Sequence, residues 1–289
     1  MTMNFASFKP HPALADYVEC YGLFQKEEQI KPGRSTNPPL PSQSIMFWYY
    51  DRPVYLSNGL HINGLAPKAS IVPLATRGYT SQAEGAFQIF AIQFKPSQMR
   101  HFIALPWINI LDDFLHISDI EDRELNDWAL RIQESQDMKR NVELCDQFLL
   151  RRIPRQQPQL DLADHGLSMM FRTPWKKAWE ISRELGISER HLRRVWTEQH
   201  GLSPAQYIKL IRFSKAIAQL NSGQFTSLSS LAHQWGYSDH SHFLKTFKHY
   251  TQTSLRNYLR QSHVMKLVGW REQYLDHRYL LEPSGSIES

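Results

Sequence analysis

A chain of 289 residues, 42% hydrophobic and 21% charged, has the composition of a globular protein, neither a fibre nor a disordered segment, and enough length for two domains. Its formal charge of +5 is unevenly spread: from Met170 onward 17 Lys and Arg face 9 Asp and Glu, as expected where one domain meets a polyanion. No run of about 18 apolar residues occurs, and the start lacks the charged-then-apolar pattern of a secretory signal, so a cytoplasmic protein without membrane contact is expected.

Up to about Asp119 the chain reads as strands broken by turns. SIMFWYYD, PVYLSNGLHI and AFQIFAIQF are rich in aromatic and β-branched residues, with Asn58-Gly59 and Asn63-Gly64 as turn signals. Pro32, Pro38, Pro39, Pro41, Pro53, Pro67 and Pro73 forbid long helices here, and a small antiparallel sheet or barrel is the natural packing. Cys20 and Cys145 stand far apart with no partner at metal spacing, so neither a disulfide nor a zinc site is expected, and both are read as buried thiols.

After Pro96 the grammar changes to helix. Apolar residues recur at helical spacing from Ser97 to Leu105 and again from about Glu121 to Arg152. The latter stretch predicts two amphipathic helices separated near Ser135 to Asp137. They either buttress the sheet or pair two copies of the chain. The segment RRIPRQQPQ, Arg151 to Gln159, combines charge, glutamine and proline and is read as a linker.

Beyond it the chain repeats itself. WEISRELGISERHLRRVWTEQHGLSPAQYIKL, Trp179 to Leu210, is echoed by SSLAHQWGYSDHSHFLKTFKHYTQTSLRNYLR, Ser229 to Arg260. Ile181, Leu185 and Gly186 match Leu231, Trp235 and Gly236 at an offset of 50, whereas Leu192, Trp196 and Tyr207 match Phe243, Phe247 and Tyr258 at 51. The second copy therefore carries one extra turn residue.

Each copy reads as a short helix, a glycine-opened turn and a second helix, with Ser188 and Asp239 where an N-cap is wanted. On the second helix Leu192, Val195 and Trp196 form an apolar stripe that leaves Arg190, Arg193, Arg194 and Thr197 outward. In the other copy Phe243 and Phe247 take the core, leaving His240, Ser241, Leu244, Lys245 and Lys248 outward. One arginine-rich helix is equally well a solvated face; the duplication favours two helices laid in major grooves, where a guanidinium bonds guanine or phosphate. The helix between the copies, about Pro204 to Asn221, turns Tyr207, Leu210, Ile211, Ser214, Ile217 and Leu220 to one side and joins the units rigidly.

At these residues the chain resembles the DNA-binding domain of the AraC/XylS regulators, over about Leu160 to Arg260. LGISERHLRRVW, GLSPAQYI and KLIRFSKA carry the family's first unit and linker helix, and AHQWGYSDHSHFLKTFKHYTQTSLRNYL its second unit. Lys245 replaces an arginine, Gln252 a glycine, Leu255 a proline and Leu259 a final arginine, which implies a weaker turn, one phosphate contact fewer and less specific reading by the second unit. Carried over position by position, the base-facing residues are Arg190, Arg193 and Arg194, then His240, Ser241, Leu244 and Lys245, with Glu189 and His242 close behind.

The resemblance implies an α+β chain: a cupin-like sensing and dimerisation barrel with buttressing helices over 1–152, a linker at 153–159, and an all-α DNA-binding domain over 160–262. Its helix-turn-helix units fall at about 175–200 and 228–250, and residues 263–289 form an extension longer than the family needs. An effector held in the barrel would meet Phe47, Tyr49, Tyr79, Phe87, Phe90 and Phe94, although aromatic residues dominate cores whatever the function.

The barrel offers only HIN, His61 to Asn63, toward the cupin metal pattern, so no metal and no cofactor are expected, and no nucleophile elbow, phosphate loop or HExxH helix occurs. The expected protein is an activator that binds promoter DNA, works with RNA polymerase, and answers to a small molecule, a second copy of itself, or both. Two alternatives stand beside it: a non-sensing regulator controlled by abundance, and a cupin-like enzyme fused to a DNA-targeting module.

Overall fold

A computed structural model describes residues 4–56, 64–153 and 162–261. The turn at Asn58-Gly59, the HIN segment, nearly all of the linker and the whole of 263–289 lie outside the described residues.

Among the described residues the first half is an antiparallel sheet of eight strands: β1 (Asn4–Phe8), β2 (Val18–Asn37), β3 (Ser44–Tyr50), β4 (Val54–Leu56), β5 (Gly64–Leu65), β6 (Ala69–Val72), β7 (Tyr79–Phe94) and β8 (Leu115–His116). Its hydrogen-bonded path runs β1-β2-β7-β3-β6-β8, with β4 on β7 and β5 on β4. The path ends on β1 at one edge and β8 at the other, so the described strands form an open sheet and do not close the expected barrel.

Alternation along the central strands buries both faces. Ile45, Phe47 and Tyr49 of β3 and Phe90, Ile92 and Phe94 of β7 face one core, which α1 (Arg123–Glu134) and α2 (Met138–Arg152) cover. Met46, Trp48, Phe87, Ile89 and Ala91 face a second core with Tyr55 and Phe114.

The two helices fall where the apolar spacing places them, each started by an aspartate: Asp122 accepts from Leu125 N–H and Asp137 from Lys139 N–H. Trp128 stacks on Phe148 at 4.3 Å and meets Phe47 edge-on at 5.6 Å, tying helices to sheet. Arg152 closes the seam by bonding both oxygens of Asp122, whose carboxyl its guanidinium holds below the usual range.

The expected helix at Ser97 to Leu105 is absent. A single 3₁₀ turn covers Gln98–His101, opened by Ser97 at φ +70°. The apolar residues of this stretch serve instead as anchors under irregular backbone: Met99, Phe102 and Ile103 are buried in the helix-facing core. Both cysteines are buried, and burial pushes the Cys20 thiol up to about 11.

The described residues of the second half are helical: α3 (Leu162–Arg172), α4 (Ala178–Glu184), α5 (Glu189–His200), α6 (Pro204–Ser222), α7 (Leu228–Gln234), α8 (His240–Thr251) and α9 (Leu255–Arg260). α6 is its axis. Ser203 and Gln206 form a capping box at its start, Pro204 takes the first turn, and the six side chains expected on one side are all buried. One core runs through both helix-turn-helix units and takes in Leu74 from the sheet half.

Candidate nucleic-acid interface

The two copies fold on one plan, at the offsets the sequence shows. Gly186 and Gly236 leave their first helices at φ +68° and +75°, a region open to glycine at little cost. The following amide returns to the first helix in the same way, Ile187 N–H to Ser182 O at 3.0 Å and Tyr237 N–H to Ala232 O at 2.9 Å. Four residues, 185–188, connect α4 to α5, and five, 235–239, connect α7 to α8. This is the extra turn residue.

Both second helices start on the expected side-chain oxygen. Ser188 Oγ accepts from His191 N–H at 3.2 Å, and Asp239 Oδ1 from His242 N–H at 2.8 Å, a bond that holds the Asp239 carboxyl below its ordinary range. In α5, Leu192 and Trp196 are fully buried, Val195 and Thr197 are half-buried, and Arg190, Arg193 and Arg194 are exposed. Arg194 pairs with Glu198 at 3.2 Å, an exposed i,i+4 contact of little worth. In α8, Phe243 and Phe247 are fully buried, Leu244 is half-buried, and His240, Ser241, Lys245 and Lys248 are exposed.

Not every cation of this half faces outward. Lys215 of α6 is buried, donates from Nζ to Phe171 O at 2.8 Å beneath the Trp235 ring, and burial brings its pKa down to about 8. Arg212 spends its guanidinium on the carbonyls of Pro174 and Trp175.

Sequence reasoning missed the seam that holds α5 against the sheet half. Ser97 Oγ lies 2.6 Å from Nδ1 of His200, which is buried at the end of α5, and the Gln98 amide and Arg100 reach Asp164 of α3 at 3.1 and 2.9 Å. Tyr207 and Ser214 of α6 donate to the carbonyls of Pro41 and Pro39. The other unit is touched too, through Gly78 N–H and the carbonyl of Tyr250 at the end of α8. These partners are 64 to 175 residues apart in the chain, and no local pattern announces them.

The six aromatic residues expected around an effector do not share a wall. Phe47, Tyr49, Phe90 and Phe94 belong to the helix-facing core, with Tyr49 Oη donating to Ile132 O and accepting from Asn141. Phe87 belongs to the opposite core, with Tyr79 packed against it. Tyr49 also reaches a groove of about 400 Å³ lined by Tyr50, Arg52, Lys68 and Leu130. Among the described residues no group of three or more His, Cys, Asp or Glu is placed to hold a metal, and no helix is long and apolar enough to cross a membrane.

Residues 181–261 match the family described as a helix-turn-helix domain, and residues 6–116 match a domain of unknown function, DUF6597. No curated protein matches the chain. Among solved structures, ToxT from Vibrio cholerae is 13% identical with a TM-score of 0.48, covering 83% of this chain and 97% of that one. Wild-type ToxT from Vibrio cholerae with an unsaturated fatty acid bound is 14% identical with a TM-score of 0.47, covering 87% and 96%. The AraC-like transcriptional activator CuxR is 12% identical with a TM-score of 0.24, covering 75% and 87%.

Proposed function

We propose that this chain, whose residues 181–261 match a helix-turn-helix domain, is an AraC-type DNA-binding transcription regulator that reads its operator with α5 and α8 in successive major grooves. One observation carries the reading. Two equivalent units, built at offsets of 50 and 51, each bury an apolar stripe on the second helix and leave its polar and basic face exposed.

Arg190, Arg193, Arg194 and Thr197 read bases and grip phosphates in the first unit; His240, Ser241, Leu244, Lys245 and Lys248 do so in the second. The first unit reads more sharply, because guanidinium groups bond guanine edges bidentately whereas lysine and histidine offer point contacts.

Residues 1–152 act as the controlling domain and 160–262 as the DNA-binding domain. Direct hydrogen bonds from the sheet half to both units, at His200 and Tyr250, support such control. The control is exerted by a small molecule, and the output is activation through RNA polymerase.

A second reading, a regulator governed by its abundance alone, is favoured by one feature: the aromatic effector candidates divide between two packed cores instead of lining one cavity. Selection of genomic fragments by the purified full chain tests the main reading, with one recurrent bipartite site expected. Fragments retained without any common sequence would overturn it. Melting shifts of the same chain across a metabolite library separate the two readings, since a ligand that binds the folded state raises the midpoint.

A further inference from the structure

Because the two units share one plan, a residue that breaks a folding preference obeyed at the equivalent position points to work outside the fold. At the start of α7, Ser227 is an N-cap of the preferred kind: its Oγ accepts from Ser230 N–H, and Ser230 Oγ accepts from Ser227 N–H, both at 3.1 Å. Fifty residues earlier the same position is Lys177, whose ammonium accepts nothing. Half of the cap survives there, with Lys177 N–H donating to Glu180 at 2.7 Å.

The neighbours depart in the same way. Trp179 stands where the second unit has Ser229, and Trp175 where it has Phe225; the two indoles are 46% and 63% exposed. Large apolar surface in water on a charged protein face marks a contact. The patch is firmly mounted: Arg212 bonds the carbonyls of Pro174 and Trp175, and the Arg183 guanidinium lies over the Trp179 ring at 5.5 Å.

The local acids are occupied, Glu180 on the Lys177 amide and Glu184 on Lys176. Lys177 and Arg183 have no ion-pair partner among the described residues. What remains outward is two indole faces and two uncompensated cations.

We propose that Trp175, Lys177, Trp179 and Arg183 form a grip on the DNA backbone that unit one has and unit two lacks. The inference rests on the DNA-reading role of α5 and extends the footprint to α4, since the first helix of a helix-turn-helix crosses the backbone. Lys177 and Arg183 meet phosphates, and the indoles pack on the deoxyriboses between them. A protein partner would also use aromatic anchors; the uncompensated cations beside a DNA-reading helix favour the polyanion.

Backbone contacts carry no sequence information, so a labelled duplex of arbitrary sequence, about 30 base pairs long, is a sufficient probe for the full chain at low and moderate salt. Lys177→Ser restores the cap, so its melting midpoint should rise while duplex binding weakens severalfold and the slope of log affinity against log salt falls by about one. The double variant Trp175→Ala, Trp179→Ala should lose more affinity at an unchanged melting midpoint.

Wild-type affinity in both variants overturns the grip. So does a defect confined to transcription with purified RNA polymerase at unchanged DNA affinity, which would assign the patch to a protein. If the unmodified chain retains no duplex, the DNA-binding reading falls as well; if it binds and the variants bind equally, the grip alone falls.

Discussion

Units one and two share the glycine turn, the oxygen cap and the buried apolar stripe, yet unit one exposes three arginines on its second helix where unit two exposes His240, Ser241, Lys245 and Lys248. Their exits differ as well. The turn after α5 is made by Gly201 at φ +74°, and the turn after α8 by Gln252 at φ +57°, a glutamine held in a backbone region that disfavours it. The anchors differ too: unit one is seated on the sheet half by the buried Ser97–His200 contact, beside the Arg100–Asp164 pair on α3, and unit two by the Gly78–Tyr250 backbone bond and, just past α9, by Thr36 N–H donating to Gln261 Oε1. Duplication preserved what folding requires and left the outward face and the anchorage free to diverge.

The largest effect should come from breaking what the units have in common. Trp196→Ala and Phe247→Ala each remove a fully buried ring and should cost about 3–5 kcal/mol in denaturant unfolding. Since one core runs through both units, each variant should lower a single shared transition. Separate transitions for the two units would show that the common core does not couple them.

Next is the asymmetry in reading. Arg194→Ala should weaken operator binding by about 1–3 kcal/mol, the worth of a bidentate base contact. Lys245→Ala should cost less and relax specificity less, as judged by competition with mismatched sites. Equal losses would abolish the distinction between a sharp and a blunt unit.

Lys215 lies in the helix that joins the units, under Trp235 of the second. Its pKa is brought from 10.5 to about 8 by burial, so between those values the unfolded chain holds more protons and stability rises with pH. From pH 7 to pH 9.5 this contribution should grow by about 1–2 kcal/mol. Lys215→Met should flatten that part of the stability curve, read from denaturant midpoints at the two values.

The smallest effect concerns the exits. Gln252→Gly relieves the left-handed glutamine but loosens the unfolded chain, leaving a net gain of about 0.5–1 kcal/mol. Gly201→Ala should destabilise instead, because a Cβ there would lie 2.9 Å from the Trp107 carbonyl oxygen. Calorimetric midpoints of the two variants should move in opposite directions.

Much of the candidate interface was legible because its signals are local. A glycine exit, a Ser or Asp cap and an i, i+3, i+4 stripe all lie within a dozen residues of one another, and the repeat states each of them twice. The expected helix at Ser97 to Leu105 failed because its apolar residues anchor irregular backbone, which spacing alone does not distinguish from one face of a helix.

The division of the effector candidates was partly visible. In β7, Phe87 and Phe90 are three apart, so a strand must send them to opposite faces, whereas Phe90 and Phe94 share one. What parity does not reveal is that helices cover one of those faces and a second core fills the other.

By itself the sequence determined two helix-turn-helix units at offsets of 50 and 51, their caps and turns, and the cationic residues on their second helices, because helix period and capping are short-range physics. Only the tertiary structure decided that the sheet stays open, that Arg212 and Lys215 turn inward to backbone carbonyls, and that His200 and Asp164 are held by Ser97, Gln98 and Arg100. Those outcomes depend on which distant surfaces meet, and burial gives a polar group its partner only once they have met.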